Sequence, residues 1–299
     1  LGVLDVCRRS APELTIHIST QANVTNAAAC GVFSSLGASR VVLARELSLE
    51  EIAHIHRANP SLELEAFVHG AMCISYSGRC YLSDYLDNRP ANRGACVQAC
   101  RRSYSIRSAE KGDWCDLTED ERGTYLLNSK DLNMSAHLSE LERAGVMSFK
   151  IEGRMKSEYY LATVVNAYRR ILDGGYTAAL AQETECVDHR SYTTAYMLGE
   201  NHDTVQYVGS QTAGTCEFVG VVRSHSEGRT YVEMRNRFYG NEELEVLTPT
   251  DAFGKVLRVK DLRDAQGALC EDAKRVQDVY SFASDIRLEE GDILRRRRK

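Results

Sequence analysis

No stretch of about eighteen consecutive apolar residues occurs in this 299-residue chain, so no membrane-spanning helix is expected. No charged-then-apolar leader opens it, nothing points to export, and the cytoplasm is the expected location. A basic excess is missing as well. Against 42 Asp+Glu stand 37 Lys+Arg, for a net charge of −5, which excludes a protein that coats nucleic acid over its whole surface and leaves room for a local basic patch. DNA is therefore not an expected partner. The hydrolase signatures H-E-x-x-H and G-x-S-x-G are absent too.

What is present is the composition of an ordinary globular protein, 43% hydrophobic and 26% charged, at a length that calls for one large α/β domain or a large and a small one. There are ten cysteines. Without a leader they are expected to be reduced, so a tight cluster of them reads as metal ligation rather than as a disulfide framework. Cys7, Cys30, Cys186, Cys216 and Cys270 are scattered and Cys115 stands beside Trp114; these read as small buried hydrophobes.

Strand and helix patterns alternate from the start. "LGVLDVCRRSAP" reads as a helix with apolar Val3, Leu4 and Val6, "LTIHIST" as a strand, "NVTNAAACGVFSSLG" as a helix and "RVVLARE" as a strand. "SLEEIAHIHRAN" is a helix with Ser48 as N-cap and Glu51 closing a capping box, followed by the strand "LELEAFVHG". Further on come a strand-like "GTYLLNSKDL", a helix "MSAHLSELERAG", a strand "VMSFKIEGR" and a long helix "SEYYLATVVNAYRRILDGG". Parallel βα units at this spacing close most economically as an eight-stranded barrel, with an open doubly wound sheet as the competing architecture. A barrel would lack three or four strands at its amino end, so the chain reads as part of a larger wall. Beyond residue 215, short alternating runs split by Gly and Asn predict a small antiparallel β-barrel. The expected organisation is a partial TIM-like barrel over 1–175, a connector over 176–214 and a β-barrel domain over 215–299.

In a parallel barrel the chemistry gathers where strands meet the loops at their carboxyl ends. Those positions here offer Ser19, Thr20, Gln21 and Asn23, then Arg45 and Glu46, then His69, then Lys150, Glu152, Arg154 and Lys156. Gln21, Arg45, Glu46, His69, Lys150, Glu152 and Arg154 are the expected substrate-binding set, and the cations among them suit an anionic ligand. On the same rim, after His69, come Cys73 and Cys80 in C-x₆-C spacing and then Cys96 and Cys100 in C-x₃-C spacing. Four thiolates suit tetrahedral zinc or an iron–sulfur cluster. Zinc ribbons carry C-x₂-C knuckles, so these spacings fit a cluster better, and the four sulfurs are expected to converge on one centre. Residues 88 to 109 hold no acidic residue but carry Arg89, Arg93, Arg101, Arg102 and Arg107, with Tyr104 among them. Phosphate positioning by arginine with an aromatic to stack a base is what a single-stranded RNA loop requires; a solvated basic loop is the alternative.

"EAFVHGAMCISYSGRCYLS", "NRGACVQACR", "NSKDL" and "KIEGRMKS" resemble, in order and spacing, the collagenase-like peptidase family U32, and within it the branch of tRNA wobble-uridine hydroxylation proteins. That resemblance implies an incomplete TIM-like barrel with a small β-barrel, an oxygen-sensitive 4Fe-4S cluster, and oxygen-independent hydroxylation of the wobble uridine at C5 in the tRNA anticodon loop. It also implies prephenate, a small dicarboxylate, as the source of the hydroxyl. The peptidase name implies proteolysis instead, and a zinc-bearing RNA-binding module without catalysis is the third reading. Many relatives carry a cysteine after "NSKDL" where this chain has Asn133; the resemblance then gives the fourth ligand position to Cys100, with Cys115 in reserve.

Overall fold

The computed structural model describes residues 1–102, 129–199 and 213–298, together with the backbone of 119–120 and 123–124. Packing groups the chain into two compact units, Leu1–Met155 with His189–Thr212 and Lys156–Asp188 with Ala213–Lys299.

In the first unit, parallel strands His17–Ile18, Arg40–Val42, Glu63–Ala71 and Val146–Ile151 lie side by side in chain order. The helix Ala27–Ser35 starts where the Asn26 side chain accepts the Ala29 amide, and Leu49–Ala58 starts at the expected capping box, with Ser48 and Glu51 bonding each other's backbone amides. The second helix buries Ile52 and Ile55, one turn apart on the same face. In the opening helix, Gly2–Ser10, only Leu4 is buried, while Val3 and Val6 stand in solvent.

Two elements differ from expectation. The "NSKDL" segment forms Asp131–Asn133, which runs antiparallel to the end of Glu63–Ala71 instead of adding a parallel repeat. Tyr192–Thr193, inside the expected connector, pairs with it in parallel. A two-residue strand is too short to leave a periodic trace in sequence.

The second unit is a seven-stranded antiparallel sheet. Its two edge strands, Val256–Arg258 and Lys260–Arg263, are joined by the single buried residue Val259, so the sheet curls until its edges meet in sequence. Alternation turns Thr230, Val232 and Met234 inward along Arg229–Met234, against Phe238, Tyr280 and Phe282. The long helix Glu158–Gly174, expected in the barrel, packs with this sheet: Tyr159 stacks on Phe218 at 5.2 Å, and Arg170 covers Phe253 while donating to Thr248 and Thr250 carbonyls. Arg295, wholly buried, pairs with Glu183 at 2.6 Å and with Glu245. Beside it the sulfurs of Cys186 and Cys216, both buried, lie 2.8 Å apart.

Candidate metal centre and anion pocket

At the carboxyl ends of the parallel strands a cavity of about 250 Å³ opens in the first unit. Cys73, Cys80, Cys96 and Cys100 all line it, together with Gln21, Arg45, Lys150, Glu152 and Arg154. His69 and Glu46 do not.

The loop that carries the first two cysteines is fastened to two neighbouring strand ends. Asn23 donates to the Ser77 carbonyl at 2.6 Å, the Ser77 amide donates to Glu46 Oε1 at 2.7 Å, and the Arg45 amide donates to Ser77 Oγ at 3.2 Å. Glu46 thus holds the loop rather than a ligand. Gly78 has φ of +73°, and a Cβ there would sit 2.1 Å from the Gln21 carbonyl oxygen, so only glycine lets the turn close against the first strand end. Gly70 serves the same purpose at the strand, with φ of +99° and the Glu152 carbonyl 2.2 Å from where a Cβ would be.

The second pair of cysteines follows a short helix, Leu82–Asp87. Asn92 accepts the Cys80 amide and Ser83 accepts the Val97 amide, tying both halves of the segment together. Arg101, next to Cys100, turns inward and donates to Asp131 at 2.9 Å and to the Met72 carbonyl at 3.1 Å. Asp131 in turn accepts the Arg190 amide. This corrects the expectation that Arg101 meets RNA: it is 9% exposed and committed to a buried carboxylate. Arg102 is bound to Asp87, whereas Arg89 and Arg93 stand in solvent. Arg107, Tyr104 and Cys115 lie outside the described residues.

The cavity thiols share one electrostatic environment. Burial pushes Cys100 up to about 11, with Arg101 pulling the other way and the other three cysteines adding to the rise. Burial also raises Cys73, against the Ser75 backbone amide and the Arg45 charge. Cys96 Sγ accepts the Gln98 amide at 3.3 Å. Cys96 thus already takes a main-chain N–H from two residues on, the kind of hydrogen bond that stabilises a ligating thiolate. Among the described residues, however, no group of three or more His, Cys, Asp or Glu side chains is placed to grip one metal ion. The sulfurs ring a cavity instead of meeting at a point.

Arg45 is a cation of the cavity without a carboxylate partner among the described residues. Its guanidinium lies 4.0 Å over the Phe67 ring, and no carboxylate among the described residues forms an ion pair with it. Burial lowers its pKa, and Cys73, Glu152, Glu46 and Cys96 pull it back. Lys150 is spent on Glu65 at 2.9 Å. Arg154 is exposed at the rim, and Gln21 reaches the cavity beside the Gly78 turn. His69 is buried below, tilted against Tyr192, which stacks on His189. Asn133 accepts the Ser135 amide and does not line the cavity, so the cysteine-for-asparagine position stays outside it.

Comparison with known proteins gives the family. The profile of peptidase family U32 matches residues 1–207, and that of the peptidase family U32 C-terminal domain matches residues 214–295. The chain is 34% identical over 296 residues to tRNA hydroxylation protein P of Escherichia coli (strain K12), covering 83% of this chain and 65% of that protein, just under two thirds of the relative's length. It is 32% identical over 306 residues to tRNA hydroxylation protein P1 of Bacillus subtilis (strain 168), covering 98% and 72%. It is also 34% identical over 204 residues to a collagenase of Porphyromonas gingivalis (strain ATCC BAA-308 / W83), covering 62% and 48%. No helix among the described residues is long and apolar enough to cross a membrane. With both profiles matched in order along most of its length, the chain belongs to peptidase family U32.

Proposed function

We propose that this chain carries out RNA modification, specifically the oxygen-independent C5 hydroxylation of a tRNA wobble uridine, with prephenate as hydroxyl source and a 4Fe-4S cluster on Cys73, Cys80, Cys96 and Cys100. One observation carries the reading: four cysteines and an arginine without a carboxylate partner line the same cavity at the strand ends. The tRNA hydroxylation relatives supply the substrate class.

The thiols fit the group. A 4Fe-4S cluster takes four Cys thiolates, and Cys73, Cys80, Cys96 and Cys100 all line one cavity, where Cys96 Sγ accepts the Gln98 amide. When bound, the cluster supplies a redox-active and Lewis-acidic site inside the protein. The chain's own residues do the positioning. Arg45, stacked over Phe67, offers a guanidinium fork to a carboxylate, Arg154 offers a second cation and Gln21 an amide.

A second reading, proteolysis, is favoured by the family description and the collagenase relative. It finds no support in the cavity: the nearest histidine in sequence to the thiols, His69, is buried and does not line it, so no nucleophile–base pair is presented there.

Anaerobic purification followed by reconstitution with iron and sulfide decides between these. The expected outcome is a brown protein with broad absorption at the blue end of the visible, lost in the Cys73→Ala and Cys100→Ala variants, and prephenate-dependent gain of one oxygen in tRNA by mass spectrometry. The Arg45→Gln variant should keep the colour and lose roughly tenfold or more in prephenate affinity, as expected for removing a charged hydrogen bond. A colourless, zinc-bearing product sinks the cluster, and cleavage of collagen without tRNA modification replaces the reading with the peptidase one.

A further inference from the structure

The three most exposed tyrosines among the described residues fall within residues 76–85, the segment that runs out of the cavity. Tyr76, Tyr81 and Tyr85 leave 65%, 74% and 87% of their surface in solvent. Tyr76 lines the cavity itself, at the start of the turn whose Arg79 amide returns to its carbonyl. Tyr81 directly follows Cys80, another lining residue, and Tyr85 lies one helical turn on, its amide donating to the Tyr81 carbonyl at 2.8 Å. That spacing sets Tyr81 and Tyr85 on one face. Exposing three large rings costs solvation that burial elsewhere would have recovered, and nothing in the fold of the unit uses them.

Apart from the exposed Asp84 between Tyr81 and Tyr85, their charged neighbours are cationic. Arg79, Arg89 and Arg93 are exposed and form no ion pair among the described residues, while Asp87 is already spent on Arg102. Leu86 is the only exposed aliphatic side chain of this stretch. Rings interleaved with free guanidinium groups match a polyanion whose bases are unstacked.

We propose that Tyr76, Tyr81 and Tyr85 form a platform on which bases of single-stranded RNA stack, with Arg79, Arg89 and Arg93 on the phosphates. The proposal rests on the RNA reading above and adds the side chains that hold the strand at the cavity. It replaces Arg101 and Arg102, which are committed to carboxylates of the protein, as the RNA-binding arginines.

The test is fluorescence anisotropy with a labelled oligouridine of about twelve nucleotides, a length within the usual reach of such sites, and the full 299-residue chain. Replacing all three tyrosines by alanine should weaken binding by roughly tenfold or more per ring that stacks. The triple Tyr→Phe variant should bind within about twofold of the parent, because stacking uses the ring and not the hydroxyl. The alanine variant should keep the parent's salt slope, whereas Arg89→Ala with Arg93→Ala should flatten it by about one unit for each phosphate left without its arginine. Parental affinity in the alanine variant overturns the platform and leaves RNA modification standing. A parent that binds no RNA overturns the platform and the RNA reading together. Because the rings are exposed, an unchanged melting temperature in both variants separates weaker binding from a damaged fold.

Discussion

Arg101 shows how a side chain changes meaning once its partner is known. In sequence it is one of five arginines in an acid-free stretch, and its neighbours suggest phosphate. In the fold it is buried against Asp131, a residue thirty positions away that no local pattern connects to it. Breaking a buried pair by removing one member leaves an uncompensated charge and typically costs about 3–5 kcal/mol. The Asp131→Ala variant should therefore unfold at markedly lower urea, and because Arg101 directly follows Cys100, it should also hold less iron per chain after reconstitution. Arg101→Met with Asp131→Leu should recover much of the stability, since replacing both charges removes the penalty. Equal urea midpoints for the parent and Asp131→Ala would falsify the role assigned to this pair. That Cys73, Cys80, Cys96 and Cys100 come to one cavity is legible in the sequence, but their convergence on one point is not found among the described residues. Their spacing is local, whereas the contacts that fasten their loop, Gly78 against the Gln21 carbonyl and the Asn23 hydrogen bond to Ser77, span more than fifty positions and leave no local pattern. Glu46 and His69 were legible as strand-end residues but not in role, because whether such a side chain faces the cavity or holds a loop depends on its neighbours across the wall.

Among the elements, Glu63–Ala71 does the most positioning. It pairs with three strands, carries Phe67 under Arg45, and ends two residues before Cys73. Its charged residue Glu65 is 9% exposed and receives Lys150, Ser148 and Arg40. Burial pushes the Glu65 carboxyl up, but the Lys150 hydrogen bond and charge, with Ser148 and Arg40, outweigh it and hold the group below the usual carboxylate range. A carboxylate depressed in the folded state stabilises above its unfolded pKa of about 4.3, and that contribution is lost as pH falls through the lower folded value. Stability should thus fall on acidification below about pH 4.5, and in Glu65→Gln that part of the fall should be absent, with lower stability at neutral pH. Parallel pH profiles of urea midpoints in the two proteins would remove Glu65 from the account. The capping box at Ser48 and the alternation of Arg229–Met234 could be read directly, because caps and period-two burial are written in neighbouring residues. Tyr192–Thr193 could not, since its two residues become a strand only through Asp131–Asn133.

For the molecule as a whole, the division into units does not follow the change of sequence texture near residue 214. The segment Lys156–Asp188 leaves the first unit to pack with the C-terminal sheet, and the chain returns to the first unit at His189. The reason is physical: Tyr159 needs the face of Phe218, and Glu183 is one of two carboxylates that compensate Arg295. Neither need is visible in the helix or the strand alone. The Arg295→Met variant leaves Glu183 and Glu245 buried with only the half-exposed Arg297 beside them and should lose stability toward the low end of about 3–5 kcal/mol, whereas Glu183→Gln, which keeps Glu245 in place, should lose less. Differential scanning calorimetry measures both, and an Arg295→Met protein that melts with the parent would show the cluster to be dispensable.

The paired sulfurs of Cys186 and Cys216 bear on how the metal centre can be counted. Among the described residues, a sulfhydryl reagent in water reaches the partly buried Cys7, Cys73, Cys80, Cys96, Cys100 and Cys270 in the native chain, while Cys30, Cys186 and Cys216 are shut away from it. Where two sulfurs sit 2.8 Å apart, derivatising one also leaves no room for the other. The colour yield of such a reagent therefore separates into a fast phase from the accessible groups and a slow one gated by unfolding. Loading the cavity with iron and sulfide shields only members of the fast phase, so the drop in its amplitude reads the number of cysteines engaged, undisturbed by the hidden pair in the other unit.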